Sequence, residues 1–93
     1  MSKFNKGDII IYSNGLYAIY DSVKSEDNPV VIYAAIYDIL SNKIKIGKDT
    51  GIRMESDCQL AGQLSEGKRR FIKLLKEVNT KESNSVLTEY NLK

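Results

Sequence analysis

Residues 8–23 read DIIIYSNGLYAIYDSV, and this stretch decides the class of fold. β-Branched and aromatic residues fill Asp8–Tyr12 and Leu16–Val23, a composition that suits a pleated, half-buried ribbon. Between the two runs stands Ser13-Asn14-Gly15. Asn-Gly supplies the two residues with positive φ that a type I′ turn requires, so the runs form an antiparallel hairpin. Along its second strand Tyr17 and Ile19 face one way, and Leu16, Ala18 and Tyr20 the other.

Reading outward, Lys24–Pro29 is polar, and Pro29 can only flank or open the next strand. Val30–Leu40 is rich in Val, Ile and Tyr and reads as a long central strand, apolar on both sides. Tyr33 and Tyr37 are four apart, which strict alternation places on one face. Ser41-Asn42-Lys43 makes a turn. Ile44 and Ile46 then alternate with Lys43, Lys45 and Lys48, the pattern of a strand buried on one face only. A loop over Gly47–Gly51 leads to a last short strand at Ile52–Met54.

The period changes after Leu60. From Ser65 to Val78, Phe71, Leu74, Leu75 and Val78 recur at helical spacing. Ser65 serves as N-cap, Glu66 lies in the first turn, Lys76 near the last, and Asn79 ends the helix. The apolar stripe is expected to bury against Ile9, Ile11, Ile19, Ile32 and Ile36 or their face-mates. Residues 80–93 read as a polar tail whose Val86, Leu87 and Tyr90 form a short edge strand before the chain becomes disordered. The expected fold is therefore α+β: a small bent antiparallel sheet of four or five strands, an SH3-like barrel, with one C-terminal amphipathic helix, all within residues 1–79.

Composition narrows the function. The chain has 93 residues, no His, one Cys and a net charge of +2. One domain of modest core is all that this length supports. Without His, the commonest general base and metal ligand is missing. A lone Cys closes no intrachain disulfide, and its apolar neighbours Leu60 and Ala61 mark Cys58 as a buried thiol. Gly62 and Gly67-Lys68 have P-loop spacing, but Arg69 stands where Ser or Thr must hold Mg²⁺, so they are read as a helix start. Asp49, Glu55 and Asp57 lack EF-hand spacing. No catalytic residue, metal site or cofactor is assigned. The N-terminus carries no apolar leader, and no apolar run approaches the ~20 residues of a membrane span. The expectation is a cytoplasmic protein with no membrane association.

Two groups remain as binding candidates. Five of six Tyr lie in the first 40 residues, and Tyr17, Tyr20, Tyr33 and Tyr37 on the sheet suit a protein-binding surface. Lys68, Arg69, Arg70, Lys73 and Lys76 fall opposite the helix's apolar stripe and suit contact with nucleic acid. Residues 1–40 hold three basic and five acidic groups, residues 41–93 eleven and seven. Near-neutral charge favours a non-catalytic binding module that meets a protein partner, or a second copy of the chain, through the Tyr-bearing sheet or an exposed strand edge. A nucleic-acid-binding accessory protein is the alternative.

The run Phe4–Tyr12, with its Lys6-Gly7-Asp8 step into the first strand, resembles small SH3-like barrels. Cys58-Gln59-Leu60-Ala61 before a charged helix resembles a step found in short SH3-like-barrel proteins of gut Bacteroidetes and their phages. Here Gln59 and Gly62 replace the Arg and Thr of that step. The resemblance implies a fold and a bacterial or phage setting, and carries no functional residue.

Overall fold

The computed structural model describes residues 4–12, 15–24, 30–49, 58–62 and 65–92. Five strands, β1 (Ile9–Tyr12), β2 (Leu16–Val23), β3 (Val31–Asp38), β4 (Lys43–Asp49) and β5 (Cys58–Leu60), are followed by helices α1 (Glu66–Val78) and α2 (Lys81–Glu89). The strands form one antiparallel sheet in the order β4-β3-β2-β1-β5. The α+β class is as expected. Two finer features differ. β4 and β5 stand at opposite ends of the sheet with no pairing between them among the described residues, so the sheet is open. There are also two helices where the sequence pointed to one. The expected strand at Ile52–Met54 lies outside the described residues.

The hairpin forms as its sequence requires, with Ile9 opposite Ile19 and Tyr12 opposite Leu16. The register of β2 against β3 is less regular. It runs Ala18 to Ile36, then Tyr20 to Tyr33, then Ser22 to Ile32, with slips on either side of Tyr20. Ala34 and Ala35 are both buried in the same cluster, so two consecutive residues face one side. Such an irregularity inverts the alternation beyond it and bends the strand.

Both faces of the sheet are consequently packed. On one, Ile9, Ile19, Ala34, Ala35 and Tyr37 meet Phe71 and Leu75 of α1 and Val86, Leu87 and Tyr90 from α2 and its end. On the other, Phe4, Ile10, Ala18, Tyr20, Val31, Tyr33 and Cys58 form a second buried cluster. Of the expected partners of α1, Ile9, Ile11 and Ile19 join the helix-side cluster, whereas Ile36 packs against the second. Val78 is exposed at the end of α1.

Ser65 caps α1 by accepting from the Lys68 N–H at 3.3 Å, and Asn79 closes it in the left-handed conformation with φ of 49°. Thr80 then starts α2 at once. Its hydroxyl accepts from the Ser83 N–H at 3.1 Å, while the Ser83 hydroxyl oxygen accepts from the Thr80 N–H at 2.9 Å, a reciprocal capping box. The polar tail is thus a helix that buries Ser83, Val86 and Leu87. Apolar burial at three- and four-residue spacing, with both orphan donors satisfied, outweighs the polarity of the remaining positions.

Gly67 lies beneath the ring of Tyr17, in the space a Cβ would need. Gly67→Ala is expected to lower stability by about 1–3 kcal/mol, as forced overpacking does, and Leu75→Ala by about 2–5 kcal/mol. Denaturant melts of both variants check this. An unchanged midpoint for either would contradict the packing of α1 on the sheet.

Candidate functional site

The four sheet tyrosines do not form a surface. Tyr37 is 0 % exposed on the helix side, stacked on Phe71 with ring centroids 5.5 Å apart, and its hydroxyl donates to Asn42 Oδ1 at 2.7 Å. Tyr17 leans on it at 6.3 Å and over Gly67. Tyr20 and Tyr33 pair across β2 and β3 and are buried in the other cluster, with the Phe4 ring 5.5 Å from Tyr20. Tyr33 and Tyr37 therefore lie on opposite faces, because the doubled step at Ala34 and Ala35 inverts the count. The side chains that make β3 apolar on both sides are packed within one chain.

The basic face of α1 is present but partly neutralised. Arg70 pairs with Glu66 at 2.8 Å and Lys73 with Glu77 at 3.9 Å, both one turn apart. Lys68, Arg69 and Lys76 have no carboxylate within ion-pair distance among the described residues. Arg70, Lys73, Leu74 and Glu77 line a shallow groove with Asn42 of the β3–β4 turn. That turn leads into β4, whose Lys43 and Lys45 alternate with the helix-side Ile44 and Ile46 and so face away from α1.

β4 ends the sheet, and among the described residues no strand pairs with its outer edge. Lys43, Lys45 and Lys48 are exposed along it, while Ile44 and Ile46 are half-buried against the helix-side core. On the opposite face Leu16, Ile36 and Asp38 join Ser41, Lys43 and Lys45 around a mostly apolar hollow. Leu40, at the tip of the adjoining turn, is 81 % exposed, with its N–H tied to Asp38 Oδ1 at 2.9 Å. Sequence reading absorbed Leu40 into the central strand. The signal against that was its position between Asp38 and Ser41-Asn42, both turn formers.

A polar knot holds α2 to the sheet. Asp21 accepts from the Tyr90 hydroxyl at 2.7 Å and from Ser22 Oγ at 2.9 Å, with Lys48 at 3.8 Å and Lys6 at 4.0 Å. Lys6 also lies 5.3 Å from the Tyr90 ring centroid and 3.4 Å from Glu89. Burial by itself raises the Asp21 pKa, but the two donated hydrogen bonds and the two lysines together hold it below the usual carboxylate range. The Tyr90 hydroxyl is pushed up by burial first and then by Asp21.

Cys58 is fully buried, and no cluster of three metal-ligating side chains exists among the described residues. Gly62 and Gly67 frame the helix start, with Gly67 beneath Tyr17. Among the described residues no helix is long and apolar enough to cross a membrane. The chain matches no protein-family model, and comparison with curated proteins and with solved structures gives no match.

The Asp21 knot fixes a pH dependence. Its folded pKa is depressed, so its stabilisation is complete above the unfolded value near 3.9 and is lost as pH falls through the lower folded value. Thermal melts from pH 7 downward should show Asp21→Asn less stable than the parent at neutral pH, with the gap closing at the acid end. A gap that is constant across pH would contradict the knot.

Proposed function

We propose that this chain is a non-catalytic binding module that meets a protein partner through the β3–β4 turn and the β4 edge. The observation that carries the reading is Leu40, a large apolar side chain 81 % exposed, next in sequence to Ser41 of an apolar hollow and close to a strand edge that has no partner among the described residues. An exposed apolar anchor flanked by aliphatic lining and a polar rim is the anatomy of a protein-binding patch. The tyrosines contribute by shaping the sheet beneath this patch. The antiparallel meander, with β1 between β2 and β5, is compatible with the proposal of kinship to small SH3-like barrels, and a bacterial or phage origin and a cytoplasmic setting are proposed with it on the sequence resemblance alone.

The test is paired capture from the native host with tagged parent and Leu40→Asp proteins, both shown folded by circular dichroism. The reading expects a stoichiometric protein partner that Leu40→Asp loses and that Arg69→Glu with Lys76→Glu retains. Capture indifferent to Leu40 would contradict it.

One observation favours nucleic acid as the second reading. Lys68, Arg69 and Lys76 of α1 lack carboxylate partners among the described residues. Phosphate contact predicts oligonucleotide binding that weakens steeply between about 50 and 200 mM salt and fails in Arg69→Glu with Lys76→Glu. Fluorescence anisotropy reads it directly.

A further inference from the structure

We infer that the occupant of the β4 edge is an extended, acidic segment of another protein that adds as a sixth strand, with acidic and apolar residues in alternation. The inference rests on the binding-module reading and names the chemistry of its partner.

The two sides of the edge ask for different residues. Ile44 and Ile46 point toward α1 and α2 and are only half-buried, whereas the central residues of that cluster are closed to solvent. Their outer flanks stop at the open edge, beside half-buried Leu74. A strand laid along β4 would cover them with every second side chain, which must be apolar. On the opposite face the added strand would lie beside Lys43 and Lys45, which stand across β3 from Asp38 and Ile36. Its other side chains there must be carboxylates. The period-2 alternation of a strand delivers both at once.

Charge sets the choice of occupant. Lys43 has no ion pair among the described residues, and Lys45 reaches Asp49 only at 3.9 Å between two exposed groups. An exposed pair of that kind contributes little and is easily exchanged for a better one. Lysines on an edge strand also repel another cationic edge. A second copy would bring its own Lys43 and Lys45 to the seam, Lys48 being held 3.8 Å from Asp21. An acidic strand neutralises them while its backbone pairs with the N–H and C=O groups of residues 43–48 that face no strand among the described residues, the mode by which peptides extend sheets.

The probe is a fluorescein-labelled seven-residue peptide that alternates valine with aspartate, with a lysine-for-aspartate peptide as control. Titration at two salt concentrations is combined with amide hydrogen exchange of the full chain. The expected result is saturable binding of the acidic peptide, slowed exchange within 43–49, and no binding of the lysine peptide. Lys43→Glu with Lys45→Glu should weaken the acidic peptide by at least about tenfold and admit the lysine peptide. Equal binding of both peptides, no response to the charge reversal, or protection outside β4 would overturn the inference. Concentration-dependent protection of β4 without peptide would overturn it in favour of a second copy. No binding at millimolar peptide would overturn it too. If Leu40→Asp still abolished capture of a protein partner, the binding-module reading would stand without it.

Discussion

Ala34 and Ala35 both face the helices, and the consequences of that doubled step run through the whole molecule. It turns Tyr33 to one side of β3 and leaves Tyr37 on the other, so each face of the sheet receives a large aromatic side chain. Two small residues make the step inexpensive. Neither has a side chain long enough to clash when both crowd the same side, and both are closed off under the helices. Once the tyrosines are turned inward on both faces, the large apolar side chains that the sheet and its turns still expose among the described residues are Leu40 at the β3–β4 turn and Leu60 on the opposite end strand, β5.

The helix-side core depends on this arrangement and on the end of the chain. Phe71 stacks on Tyr37, and Leu75, Val86, Leu87 and Tyr90 complete the layer. Tyr90 then reaches Asp21 on β2, which draws in Lys6 from the N-terminal turn and Lys48 from β4. The close approach at Gly7, whose φ is 97° and where a Cβ would lie 2.9 Å from the Tyr90 carbonyl oxygen, seats that turn against the end of α2. Residues from opposite ends of the chain are thus held at one point. In a domain of 93 residues, where burial is modest, such a tie matters more than its individual contacts suggest.

Much of this was legible in the sequence. Asn14-Gly15 between β-branched runs located the hairpin, alternating Ile and Lys located β4, and Ser65 and Asn79 bounded α1. Tyr17 with Ile19, and Ala18 with Tyr20, fell on the faces that alternation assigned. The faces of Tyr33 and Tyr37 were not legible, because a bulge built from two alanines leaves no mark on hydrophobic pattern. α2 carried a faint signal: Ser83, Val86, Leu87 and Tyr90 are helically spaced behind Thr80. It was overshadowed because the reciprocal cap uses Ser where Glu or Gln is the familiar sign. The basic stripe was expected opposite the apolar one, but Lys68 is half-buried at its flank, and Glu66 and Glu77 each take up one of the other cations. Leu40 escaped notice because a residue next to a strand inherits the strand's label until the turn is seen.

The packing of both sheet faces depends on where the tyrosines lie. Mapping of tyrosine nitration by mass spectrometry on the folded protein tests it most directly. The half-buried Tyr12 and Tyr17 are predicted to react first, with Tyr20, Tyr33 and Tyr37 protected until denaturant unfolds the chain. Early and simultaneous modification of Tyr33 and Tyr37 in the native protein would contradict it, since that would restore the two to one open face.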